Sequence, residues 1–120
     1  MRLVLFIVAV LVATWVSTLT PTWAFAADKP IRFWNLTSKT VTSLQLAKAG
    51  TQDFGPDFCK SDKDGEVDHD ERLSLPGVAP GAYDVKIGYA DGRKCTVRTV
   101  NLQAGKVFSI EDKDLTDCTK

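Results

Sequence analysis

Tyr83, Val85, Ile87 and Tyr89 recur at every second position, with Asp84, Lys86 and Gly88 between them, and Ala90-Asp91-Gly92-Arg93 follows at once. A strict period of two places the four large side chains on one face of an extended strand. An Asp-Gly pair is the strongest short signal for a hairpin turn. This stretch therefore predicts a strand that turns back on itself, with Cys95 and Val97 continuing the inward face. Val100 and Leu102 have the opposite parity, which predicts a bulge near Arg98–Thr99.

The flanking segments follow the same grammar. Ile31–Leu36 alternates around Ile31 and Phe33, and the polar turn Asn35–Thr40 ends it. Val41–Ala47 carries Val41 on one parity and Leu44 and Leu46 on the other, so a bulge near Ser43 is expected. Leu73 and Leu75 alternate with polar neighbours, Pro76–Gly81 supplies a reversal, and Gln103–Lys106 turns the chain into Val107–Ile110. The tail Glu111–Cys118 has the composition of one helical turn. No 3.6-residue period appears anywhere, and about six short strands in this length indicate an all-β fold, a single antiparallel β-sandwich. The expected core is Phe33, Leu44, Leu46, Leu73, Leu75, Tyr83, Val85, Ile87 and Val97, with Phe108 or Ile110.

Residues 1–26 stand outside this pattern. Arg2 precedes an apolar run, Leu3–Ala13, and Ala24-Phe25-Ala26 forms a small-x-small cleavage box, which together read as an export signal. The run is shorter than the roughly 20 residues a membrane helix needs. The expected mature domain is therefore Ala27–Lys120, with no membrane span after cleavage and a periplasmic or secreted location. The whole chain has net charge +0, and the leader contributes one base and no acid, so the mature domain carries net −1. That balance argues against a nucleic-acid partner, which calls for a clustered basic face.

Export gives the three cysteines their meaning, because an oxidising compartment lets two of them pair. With strands running alternately up and down from Tyr83, Cys95 falls at the same end as Cys118, and Cys59 is brought near by the exit of the long loop. Cys95–Cys118 is the first expectation and Cys59–Cys95 the second, with the third thiol buried. No Cys-x-x-Cys occurs, which weakens thioredoxin-like redox chemistry and a closed zinc site.

Lys48–Glu71 lacks a core period, a length of loop that usually has a function or a ligand to order it. Within it Lys60–Glu71 packs six acids into twelve residues. Setting Gly65 at position 6 of a twelve-residue calcium loop puts Asp62, Asp64, Glu66 (through its carbonyl), Asp68 and Glu71 at ligand positions, and apolar Val67 at position 8. Position 1 is Lys60, whose ammonium repels a cation, and the flanks are not helical, so this is no EF-hand. Two readings stand: a calcium loop grafted on a sandwich, with Asp57 or water at position 1, or a solvated acidic excursion. His69, between Asp68 and Asp70, has the donor chemistry for zinc or nickel.

Elsewhere the sequence offers little catalytic material. There is no Gly-x-Ser-x-Gly, no phosphate-cradling glycine loop, and no carboxylate pair in an apolar setting that would raise one pKa. Asn35-Leu36-Thr37 matches a glycosylation triplet but reads as a turn, and Trp34 alternates away from Phe33 to a surface or sheet-edge position. Leu73–Gly92 resembles the L-x-x-L-x-P-G-x-Y-x-V stretch of prealbumin-like and carboxypeptidase-regulatory-like sandwiches. The chain is also similar to small exported alphaproteobacterial proteins that combine an "NLT" strand, a "DKDG…DHDERL" loop, "YDV" and a terminal "DLTDC". These resemblances imply an immunoglobulin-like or prealbumin-like sandwich and an envelope location. The functional expectation is a small exported, non-catalytic binding or accessory module with an unknown protein or envelope partner. A calcium-stabilised version is the alternative, and an enzyme or metal-handling protein using His69 and Cys59 is the third possibility.

Overall fold

A computed structural model describes residues 29–120; the expected leader, residues 1–26, lies outside them. Among these residues seven strands form two sheets. The first sheet has the order β3 (Arg72–Leu75), β1 (Ile31–Leu36), β6 (Val107–Glu111); the second has β2 (Val41–Lys48), β4 (Gly81–Tyr89), β5 (Lys94–Leu102), β7 (Asp117–Thr119). Single 3₁₀ turns occupy Phe58–Ser61 and Asp112–Asp114. The molecule is an all-β sandwich, and no helix among the described residues is long and apolar enough to cross a membrane.

Both expected bulges are present. The β2–β4 register shifts between Val41 and Ser43. On β5, Arg98 and Thr99 together oppose Asp84, and Thr99 takes the left-handed φ of 56°. Each bulge moves the inward parity by one residue, so Val41 shares a face with Leu44 and Leu46, and Val97 with Leu102. The β4–β5 hairpin closes on Asp91-Gly92: the Gly92 N–H donates to the Tyr89 carbonyl at 3.0 Å, with Gly92 at φ 89°.

One pairing departs from an antiparallel sandwich. β1 runs antiparallel to β3 but parallel to β6, with Phe33 beside Phe108. The reason is that the β3–β4 and β5–β6 connections cross between sheets. Among the described strands only β4 and β5 make a hairpin within one sheet, and β6 arrives beside β1 from the other layer. The Pro76–Pro80 crossing is held by the Tyr83 hydroxyl, which donates to the Ala79 carbonyl at 2.7 Å, the kind of corner bond that β-sandwiches use.

Phe33, Leu44, Leu46, Leu73, Leu75, Val85, Ile87 and Ile110 are buried as expected; Tyr83, Val97 and Phe108 pack half-buried against them. Ile31, Val41, Val67, Cys59, Tyr89, Cys95 and Leu102 complete the core. The Phe33 and Phe108 rings meet at 5.6 Å between centroids, tilted by 43°, a favoured aromatic geometry. Cys95 and Cys118 are register partners on β5 and β7 and are joined by a disulfide, while Cys59 is free and buried.

Candidate functional site

The long connection between β2 and β3 is organised by hydrogen bonds to the edge of β2 rather than by a gathering of its carboxylates. β2 is an edge strand, and an edge strand presents unpaired N–H and C=O groups. The loop satisfies them in turn. Gly55 donates its N–H to the Leu46 carbonyl at 3.0 Å, and Asp57 Oδ1 accepts the Leu44 N–H at 2.9 Å. Val67 exchanges both bonds with Val41, at 2.8 and 2.9 Å. Gln45 Nε2 donates to the Gly55 carbonyl from the same strand. Asp57 also accepts the Cys59 N–H at 2.9 Å and so starts the 3₁₀ turn that seats Cys59 in the core.

Two features read from the acidic segment are present: Gly65 has a left-handed φ of 68°, and Val67 is an apolar anchor, 1% exposed. The carboxylates themselves are not gathered. Among the described residues no group of three His, Cys, Asp or Glu side chains is placed to hold an ion. Val67, pinned to Val41, divides the segment. Asp62, Asp64 and Glu66 lie before the pin, and Asp68 and Glu71 turn toward β1 after it. There the Asp70 N–H donates to the Asn35 carbonyl and the Asn35 N–H donates to the Glu71 carbonyl. Asp68 accepts the Thr40 hydroxyl at 2.8 Å, and Glu71 Oε2 accepts the Asp68 N–H at 3.1 Å. Asp57, the stand-in for position 1, is spent on β2 and Cys59. In this arrangement the four carboxylates at ligand positions, Asp62, Asp64, Asp68 and Glu71, are not gathered around one point.

His69 places Nδ1 2.8 Å from the Thr37 carbonyl. A carbonyl only accepts, so Nδ1 carries the proton. Beneath it lies a buried polar knot. The Asn35 side chain donates to the Lys39 and Val67 carbonyls, and its oxygen accepts from the Thr37 N–H and hydroxyl. The Tyr89 hydroxyl donates to Thr37 Oγ1 at 3.2 Å. Asn35 is fully buried; the triplet is the end of β1 and the first residue of the bend after it, and the Asn35 amide is committed to holding that bend.

The sequence gives no direct signal for two aromatic–cation contacts. Trp34 faces out from β1; its indole N–H donates to Asp70 Oδ1 at 3.0 Å, and the Arg72 guanidinium lies 4.2 Å over its ring. Trp34 and Arg72 are register partners on adjacent strands, the one clue available once the pairing is known. On the other sheet the Lys86 ammonium stands 4.5 Å over Phe54. The Cys59 thiol is pushed up to about 12 by burial and, after that, by the charges of Asp57 and Asp62. Thiolate chemistry at neutral pH is therefore closed to it. No protein-family model matches this chain, nor does any curated protein or solved structure.

Proposed function

We propose that the chain is a small exported, non-catalytic binding or accessory module of the bacterial periplasm. The observation that carries this reading is the disulfide that ties β7, the last strand, to β5. Such bonds persist where the surroundings are oxidising, and the leader-like residues 1–26 provide the route there. The binding role is supported by the employment of the reactive groups. Cys59 is sealed, Asp57 and Asp84 hold backbone N–H groups, and Asp68, Asp70 and Glu71 brace one turn against β1 and Thr40. Such a scaffold offers a rigid surface to a protein or another component of the envelope; with its balanced charge, nucleic acid is not among the expected partners.

Cells expressing the protein with a photo-crosslinking residue on each sheet face test this. The expected result is a chain beginning at Ala27 in the periplasm or medium, with a discrete crosslinked partner. Full-length protein in the membrane fraction, or chemical turnover of a bound molecule, would overturn it.

A calcium-stabilised form is a second reading, favoured by the left-handed Gly65 and the Val67 anchor. It requires an ion to rebuild residues 62–71 around itself, because the carboxylates stand apart in the structure described. Thermal unfolding with and without millimolar calcium separates the two readings.

A further inference from the structure

The outer strands of a two-sheet sandwich each expose a row of backbone groups, and an exposed row is a template for another strand. Most of these edges are protected here. The long connection bonds along β2. β7 is three residues long, and β5 beyond its reach carries Arg98 and the bulge at Thr99. β3 is four residues long, opens on Arg72 and runs into Pro76. β6, Val107-Phe108-Ser109-Ile110-Glu111, has no proline, no bulge and no charge before its last residue. Val107, at 36%, is the one large apolar side chain exposed among the described residues. The Arg32 N–H donates to the Lys106 carbonyl at 3.1 Å, and Arg32 is the register partner of Val107. Alternate residues of a parallel strand bond to the same neighbour. Phe108 and Ile110 therefore bond to β1, while Val107, Ser109 and Glu111 turn their N–H and carbonyl groups away. Asp114 Oδ2 accepts the outward Glu111 N–H at 2.9 Å. Among the described residues no hydrogen bond meets the outward groups of Val107 and Ser109.

We infer that β6 pairs antiparallel with β6 of a second copy of this chain, about a two-fold axis at Phe108, so that the two three-stranded sheets become one. In this register Val107 faces the partner's Ser109, and Ser109 faces the partner's Val107. Each of these facing pairs exchanges both of its backbone bonds, so every outward N–H and carbonyl of Val107 and Ser109 finds a partner and none is left over. A register centred on Ser109 would instead set Val107 against the partner's Glu111, whose N–H is already taken. The inner faces of the two sheets run on into each other. The half-buried Phe108, packed on Phe33, then meets the partner's Phe108 at the closely spaced, non-hydrogen-bonded site. Charge selects a second copy over an unrelated strand. Lys106 opens β6 and is in none of the ion pairs among the described residues. Glu111, Asp112 and Asp114 close it, with Lys113 paired to Glu111. A strand basic at one end and acidic at the other complements itself when antiparallel and repels itself when parallel. Two facing pairs make a small interface, of the transient class below about 1,200 Å², so this is a dimer of high protein concentration.

This pairing goes beyond the proposed binding role and does not depend on export. Purified protein with its disulfide formed is followed by sedimentation velocity and amide NMR from about 10 µM to about 1 mM, the span of weak association. A monomer–dimer equilibrium is expected, with the Val107 and Ser109 amides gaining exchange protection as the dimer fills. Ser109→Pro removes one outward N–H and leaves the bonds to β1 in place. Val107→Lys sets a charge at an exposed edge position. Each should weaken the dimer by about tenfold or more, with thermal unfolding as the folding control. Lys106→Glu should weaken it too, and by less at high salt. A monomer throughout the range, a dimer indifferent to all three variants, protection gained on other strands instead, or assemblies that grow beyond two would each overturn the pairing. A foreign protein crosslinked at Val107 in cells, while the purified chain stays monomeric, would overturn it in favour of a donated strand. Dimerisation of a chain that keeps residues 1–26 in the membrane fraction would sink the export reading and leave this one standing.

Discussion

Asp84 occupies a position on β4 that alternation assigns to water, yet it is 2% exposed. Its two oxygens accept the Thr99 N–H at 2.9 Å and the Gly50 N–H at 3.1 Å. One carboxylate thus fastens the β5 bulge and the exit of β2 together. Those two backbone bonds, Thr99's first, hold its pKa below the ordinary 3.8. A depressed carboxylate contributes stability that is fully present above the unfolded value and drains as pH falls through the lower folded one. Asp84→Ala leaves two part-buried donors without their acceptor and should cost about 1–3 kcal/mol at neutral pH. In urea unfolding the gap between wild type and variant should narrow as pH drops below about 4; parallel curves would contradict the assignment. Nothing in the local sequence marks Asp84, because its partners lie in a distant bulge and a distant turn. Asn35 and Thr37 are hidden for the same reason: their burial depends on Val67 and Tyr89, far along the chain.

At the scale of elements, parity alone foretells the inward faces of β3 and β4 and both bulges, since a buried sheet face enforces the period. The parallel β1–β6 pair was not legible, because parity says which side a residue faces and nothing about which strand lies beside it. The acidic segment shows a similar division. Its glycine and its apolar anchor were readable, while its role in covering the β2 edge rests on backbone bonds that any sequence could make. If the segment is only a cover, millimolar calcium should raise the melting temperature no more than sodium chloride of equal ionic strength. If it becomes a cage, the calcium increment should vanish in Asp64→Asn and Glu71→Gln, persist in Asp70→Asn, and grow in Lys60→Asp. The increment is the quantity to read, because Glu71 also caps the Asp68 N–H and Asp70 holds Trp34.

For the molecule as a whole, the Cys95–Cys118 bond spans 23 positions and fastens a three-residue strand. Closing a loop of that size in the unfolded chain is worth about 3 kcal/mol. Cys118→Ser should lose roughly that in denaturant unfolding, and β7 should be the first segment a protease removes; unchanged stability would mean that β7 holds without its sulfur. The pairing was accessible from sequence because up-and-down strand counting puts both cysteines at one end. The first sheet has a consequence in time. Its middle strand, β1, emerges first from the ribosome, but one neighbour, β3, comes only after the long connection and the other, β6, almost at the end. Contacts that far apart in sequence form slowly and only once the intervening chain is present. The sheet therefore cannot close until nearly the whole chain is available, a property that would suit the export proposed above.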